Sequence, residues 1–385
     1  MAALCSRTAL GTGKSLMQMG LSLNGIYYDP AALMALISSE REQTKLPAWK
    51  NDIYQFLQAW YGPDEHISLQ TSGSTGPAQT ITAQKSRMAS SARATLDALG
   101  ISGKGKALLI LPASHVAGKM MLVRAIIGGL DLITLQPRLT WQAMNIPLQS
   151  YCLAAATPSQ LMGLMQTNKK NRGAVDQIKH LLVGGAAPSP ALESWLCQCK
   201  NPVYLTYGMT ETLSHVALRR LAPAPARPYY QALPGIHFEQ NQEACLIIHA
   251  PALCDGPLHT RDQVKLYTAT SFRWLGRLDF VINSGGLKFH PEQIEAALFP
   301  VMQKLKRRYM IAGINDKQLG ECLTLLLEGR DLEETAQTQL LNDCSKVSQS
   351  KYACPRQIKT VSQFSMTDSG KLDRMRTLLA YHKGI

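Results

Sequence analysis

Between residues 106 and 185 short apolar runs alternate with stretches of helical periodicity, and this alternation limits the fold more than any other feature of the chain. The runs cover 107–111, 130–135, 151–155 and 181–183. Helices are predicted near 116–127, after Trp141 and from Ser159. Strands separated by helices imply crossover connections and a sheet covered on both faces, hence an α/β fold. Ligands of such sheets lie beyond the carboxyl ends of the strands. Upstream, the apolar residues of 29–37, 49–60 and 84–99 recur at helical intervals, the last stretch stopping at Gly100. Downstream, a Pro-Ala run at 222–228 reads as a linker within the large domain. The strand-like segments 235–239, 245–249 and 264–267 that follow form a small β subdomain.

A chain of 385 residues is predicted to form two domains. The joint is placed at 274–295. There an apolar run at 280–282 is bounded by Arg277 and Asp279 and then by Asn283, Ser284, Gly285 and Gly286, so a short strand ends at a turn. Pro291, Glu292 and Glu295 then open a helix with Ile294 and Leu298 on its apolar face. The predicted division is 1–279 and 280–385.

The formal charge of +13 favours anionic partners, whether nucleotides, carboxylates, nucleic acid or acidic lipid, and charge alone does not choose among them. The densest basic cluster, at 304–308, has only Tyr309 as an aromatic neighbour and reads as a solvated face, so no nucleic-acid partner is expected. Nine cysteines occur without a Cys-x-x-Cys pair, and Cys197 and Cys199 have no histidine at ligand spacing. Free thiols in a reducing cytosol are therefore expected, not a zinc site. No window is long enough to span a membrane, which predicts a cytoplasmic protein without stable membrane insertion. Homo-oligomerisation is left open. Gly13, Lys14 and Ser15 match the end of a phosphate-binding P-loop, but the first glycine of that motif would stand at Thr8.

Several segments carry candidate chemistry. Thr71, Ser72, Gly73, Ser74, Thr75 and Gly76 bring small residues and hydroxyls together, the composition of a loop whose N–H and O–H groups can surround phosphate oxygens. Gly184, Gly185 and Ala186 follow a strand and would let a flat ring lie on the backbone. In the segment 205–212, Tyr207 can stack on a base beside Gly208, Thr210 can hydrogen-bond a phosphate, and Glu211 can hold Mg2+. His115 precedes a helix that also carries Lys119 and Arg124. Helical geometry puts Lys119 on the His115 face and Arg124 nearly opposite.

Taken together, the strings at 71–76, 205–212, 260–262, 274–295 and 366–374 stand in the order of the motifs of the adenylate-forming superfamily, which the chain resembles. The resemblance implies a large AMP-binding domain with helix-covered sheets and a β subdomain, and a small mobile α+β domain that swings on it. It implies ATP and Mg2+ use. Thr71–Gly76 would be the phosphate loop, Asp262 and Arg277 would contact the ribose, and Asp279 would be the pivot. Gly285 and Gly286 would line the path of a CoA thiol, and Lys371 would bridge carboxylate, α-phosphate and ribose during adenylation. Two departures stand out: Gln79 replaces the usual lysine, and Arg261 replaces the glycine of Thr-Gly-Asp.

His115, Gly118 three places on and Arg124 nine places after the histidine are similar to the o-succinylbenzoate-CoA ligases of menaquinone biosynthesis, whose substrate has a second carboxylate needing a cation. The analogy favours Arg124 and helical geometry favours Lys119; both are kept. The other expectations are a different aryl- or acyl-CoA ligase or a carrier-loading adenylating enzyme, or a non-catalytic nucleotide-binding homologue, suggested by Gln79 and the short N-terminus.

Overall fold

The computed structural model describes residues 16–43, 45–70, 80–167, 172–348, 350–366 and 372–383. The segment around Lys14, the glycine- and hydroxyl-rich loop Thr71 to Gly76, Gln79 and Lys371 lie outside the described residues.

The chain opens with the hairpin β1 (Leu21–Leu23) and β2 (Ile26–Tyr28), then the helices α1 (Pro30–Gln43) and α2 (Ala48–Tyr61). A two-stranded ribbon, β3 (His66–Gln70) and β4 (Thr80–Gln84), leads into α3 (Lys85–Leu99). The alternating region follows as β5 (Lys106–Leu109), α4 (Val116–Gly128), β6 (Asp131–Thr134), β7 (Leu153–Ala156), α5 (Pro158–Thr167), the short α6 (Gly173–Asp176), β8 (Leu181–Val183), α7 (Pro190–Leu196) and β9 (Val203–Gly208). β6, β5, β7, β8 and β9 are neighbours in that order, and all of these pairings are parallel. β5, β7 and β8 bury adjacent residues, and so both faces, completely in β8, which is why their sequences read as apolar runs, whereas β6 and β9 are only partly buried.

Past β9 the pairing turns antiparallel. The strands β10 (His215–Ala222), β11 (Tyr230–Ala232), β12 (His237–Gln240), β13 (Cys245–His249), β14 (Leu258–Thr268) and β15 (Ser271–Arg277) continue the same hydrogen-bonded array, making one sheet of 13 strands. The β subdomain is thus bonded into the large sheet through β10 and β11. The Pro-Ala run joins two of these neighbouring strands.

A second sheet is built from β16 (Ile282–Ser284), β17 (Leu287–Phe289), β18 (Tyr309–Asp316), β19 (Gly320–Glu328) and β20 (Gln357–Val361). α8 (Pro291–Leu305) and α9 (Glu334–Val347) bring Ile294, Leu298, Met302 and Cys344 into its own core, and α10 (Arg374–His382) packs Leu378 and Tyr381 on the cluster of Met310, Leu326 and Phe364. This core contains no residue of the large sheet. The α/β class, the large unit with its β strands and the smaller second unit are as expected.

Two local expectations are corrected. The helix predicted after Trp141 is a single 3-10 turn, Trp141–Met144, closed by Asn145 at φ 47°. One turn suffices to bury Trp141 and Met144, and Pro147 follows at once. The strand predicted at 280–282 begins only at Ile282, because Leu278–Phe280 is a 3-10 turn in which the Val281 N–H donates to the Leu278 carbonyl. The turn expected after it is present: Gly285 and Gly286, at φ 58° and 80°, form the two-residue connection from β16 to β17.

Candidate active site

β9 ends at Gly208, and there the backbone folds back on itself. A side chain at 208 would meet the Ser214 carbonyl oxygen at 2.2 Å, so only glycine permits the turn. Thr212, completely buried, fastens it: its hydroxyl oxygen accepts the Met209 N–H at 3.0 Å, and the Leu213 N–H donates to the Thr210 carbonyl at 2.8 Å. The Glu211 carboxylate is left exposed at the tip and forms no ion pair among the described residues.

Tyr207 connects this turn to the antiparallel part of the sheet. Its hydroxyl donates to Asp262 Oδ2 at 2.7 Å, and the Trp274 indole N–H donates to Oδ1 of the same carboxylate at 3.2 Å. Burial raises the Tyr207 hydroxyl pKa well above its ordinary value, and the Asp262 charge adds to the shift, so the phenol stays a donor. The ring is held edge-on to Phe272, 5.0 Å between centroids. With one donor on each oxygen, Asp262 is oriented yet retains lone pairs for further donors.

Asp262 and Arg277 are direct partners across β14 and β15. The Arg277 guanidinium is bound to Asp279 at 2.8 Å, and Arg261 donates to the other Asp279 oxygen at 2.6 Å. Burial acts to raise the Asp279 carboxyl, but the two arginines outweigh it and hold it below its ordinary range. The arginine standing where a glycine was expected thus grips the residue expected to be the pivot.

Gly184 follows β8, and a Cβ there would lie 2.2 Å from Thr206 Oγ1, so a side chain at 184 would displace the Thr206 hydroxyl. Gly185, at φ 88°, and Ala186 are exposed beyond it. His115 is the exposed residue before α4. Gly118, where a Cβ would sit 2.2 Å from the Pro112 carbonyl, lets that helix press on the loop after β5.

Lys119 and Arg124 face opposite ways, as helical geometry predicts. Lys119 Nζ donates to the Ser68 carbonyl at 3.2 Å, at the ribbon that leads to residues 71–79. Arg124 is 2% exposed and donates to Ser214 Oγ at 2.8 Å, just past the turn that carries Thr210 and Glu211. Burial brings its pKa down to about 10, and no carboxylate pairs with it among the described residues. Gly285 and Gly286 belong to the second sheet.

Sequence reading overlooked Thr212, Ser214, His215 and Trp274 as site residues. Trp274 lies within the quoted joint, but its pairing with Asp262 depends on strand register. Nothing in the sequence ties His215 to Arg124, 91 residues away.

Residues 30–240 match the family model for AMP-binding enzymes, more than half of the chain. The chain belongs to the AMP-binding enzyme family. Among curated proteins it is 23% identical over 363 residues to a 2-succinylbenzoate–CoA ligase of Geobacillus sp. (strain WCH70), covering 86% of this chain and 72% of that one. It is 26% identical over 367 residues to a probable 2-succinylbenzoate–CoA ligase of Mycobacterium tuberculosis, covering 90% and 92%. Among solved structures, an acyl-CoA synthetase (AMP-forming)/AMP-acid ligase II-like protein from Dyadobacter fermentans DSM 18053 is 31% identical, with a TM-score of 0.58 and 90% and 97% of the two chains covered. The o-succinylbenzoate CoA synthetase of Bacillus subtilis, in complex with ATP and magnesium, shares the fold with a TM-score of 0.72 at 16% identity, over 94% and 98%. The resemblance drawn from the motifs is borne out for the family. Among the described residues no helix is long and apolar enough to cross a membrane.

Proposed function

We propose that this AMP-binding enzyme is an acid–thiol ligase that activates o-succinylbenzoate with ATP and passes the acyl group to CoA. The observation that carries the choice of acid is Arg124: a buried cation whose described partners are neutral, beside the turn that bears Thr210 and Glu211. An uncompensated buried guanidinium is costly. A substrate with a second carboxylate would offset that cost, as the names of the curated relatives also suggest.

In the first half-reaction a carboxylate oxygen bonds to the α-phosphorus of ATP while the bond to the pyrophosphate oxygen breaks, giving the acyl-adenylate. In the second, the CoA thiolate bonds to the acyl carbon and AMP leaves with the electron pair. The geometry supports distinct roles. Asp262, held by Tyr207 and Trp274, accepts the ribose hydroxyls; Thr210 donates to the phosphates; Gly184, Gly185 and Ala186 offer a ledge for adenine; His115 borders the acyl pocket. Glu211, an exposed carboxylate, fits the usual protein share of a Mg2+ shell completed by phosphate and water. The ion would neutralise charge on the phosphates. Thr71 to Gly76 would cradle the phosphates, and Lys371 would assist adenylation. Rotation of residues 280–385 about Asp279 would then exchange Lys371 for the Gly285–Gly286 turn and require parting from at least one arginine.

ATP–pyrophosphate exchange tests this reading. Exchange dependent on o-succinylbenzoate is expected, reduced at least tenfold by Arg124→Ala and little changed by Lys119→Ala. Exchange with simple aryl or fatty acids alone would refute the choice of acid. ATP binding without exchange for any carboxylate would refute catalysis.

A further inference from the structure

Arg124 is held by a relay whose polarity is fixed at its far end. The Thr95 hydroxyl donates to the Ser91 carbonyl at 3.1 Å, one turn earlier on α3. Its oxygen must therefore accept at its other contact, His215 Nε2, also at 3.1 Å. That places the imidazole proton on Nε2 and leaves Nδ1 as an acceptor. Nδ1 lies 3.5 Å from Arg124 Nη2 and 3.4 Å from Ser214 Oγ, and Ser214 Oγ accepts from Arg124 Nη2 at 2.8 Å. Every donor thus points away from the guanidinium, ending in helix backbone. Thr95, Arg124 and His215 are 0%, 2% and 6% exposed, so bulk water cannot substitute for a missing partner. With the proton on Nδ1, an N–H would face a buried cation.

We propose that Thr95 and His215 are positioning residues that set selectivity for a dicarboxylic substrate. By fixing the imidazole tautomer they turn two acceptors, Nδ1 and Ser214 Oγ, toward one edge of Arg124. The guanidinium Nε, which is buried without a partner among the described residues, is left for the second carboxylate. The inference rests on the o-succinylbenzoate reading, since a monoacid would have no use for the relay.

The test uses the full chain and two acids, o-succinylbenzoate and the same molecule without its ring carboxylate, 4-oxo-4-phenylbutanoate, in pyrophosphate exchange. Thr95→Val keeps the volume and removes the acceptor. It should raise KM for the diacid about tenfold with kcat nearly kept, and leave the monoacid KM within about twofold. His215→Asn places an amide oxygen near the position of Nδ1. It should hold the diacid KM within about threefold of wild type and make an added Thr95→Val silent. Equal losses for both acids, or a full Thr95→Val effect in the His215→Asn background, would mean a packing role and overturn the proposal. Thr95→Ser, expected to keep wild-type selectivity, covers the case in which valine does not fold. Nitrogen-15 spectra of histidine-labelled protein, with the His215 signal assigned by its loss in His215→Asn, read the tautomer without substrate. A proton on Nδ1 in the wild type would overturn the relay whichever acid is used. Absence of exchange with o-succinylbenzoate alongside an Nε2–H signal would instead fault the choice of acid.

Discussion

Replacing Arg374 should loosen the smaller unit far more than a surface arginine would. Arg374 and Glu295 form an ion pair with side chains 12% and 18% exposed, and the guanidinium also donates to the Ile311 carbonyl at 3.3 Å and lies 5.7 Å from the Phe280 ring centroid. Glu295 in turn accepts the Ile311 N–H at 2.7 Å, so one pair ties α10, α8 and β18 together. Burial raises the Glu295 carboxyl even against the Arg374 charge, which means that desolvation outweighs the pairing. Two magnitudes follow. Arg374→Met strands a buried carboxylate and should cost about 3–5 kcal/mol. Arg374→Met with Glu295→Gln removes both charges while keeping an acceptor for Ile311, and should cost only about 1 kcal/mol. Hydrogen exchange of peptides from β18 and β19 reports this unit directly. Protection there should fall by roughly two to three and a half powers of ten in the single variant and by less than about tenfold in the double. Protection in β7 and β8 should not move. A single variant within tenfold of wild type, or a double no better protected than the single, would refute the reasoning.

Three further outcomes follow. Gly208→Ala pushes a methyl to 2.2 Å from the Ser214 carbonyl, so ATP affinity by titration should fall at least about tenfold. Asp262→Asn gives either Tyr207 or Trp274 an N–H in place of an acceptor, and the KM for ATP should rise about tenfold or more with the melting temperature only slightly lowered. Burial raises the Glu292 carboxyl, so the folded chain binds its proton more tightly than the unfolded chain. The associated stability is complete below about pH 4.3 and is lost as pH rises through the folded value. Glu292→Gln should therefore raise the melting temperature at pH 7 by a few degrees and leave it unchanged near pH 4; an equal rise at both would refute the assignment.

β5, β7 and β8 were legible because they are buried on both faces, so their apolar runs need no register to be seen; β9, whose burial alternates, went unpredicted as a strand. The antiparallel strands were harder. β10 went unpredicted because Arg219 and Arg220 interrupt its apolar pattern. Arg219 is there because Glu193 of α7 meets it at 2.7 Å. β14 was predicted only at 264–267, whereas its polar half, with Thr260, Arg261 and Asp262, is a strand held by β13 and β15. At the site, the turn at 208–214 could be located from its motif. The Tyr207–Asp262–Trp274 and Thr95–His215–Arg124 groupings could not, since the first depends on the order of β9, β14 and β15 in the sheet and the second on the packing of α3 and α4 against β10.

The unbroken hydrogen bonding from β9 to β15 means that the region matched by the family model is not a unit that can be cut out. Severing the chain after Gln240 would strip β12 of β13 and β11 of β15, baring two ladders at once while discarding Asp262 and Trp274. Such a fragment should clump and leave nucleotides unbound, so any dissection of this enzyme should begin beyond Arg277.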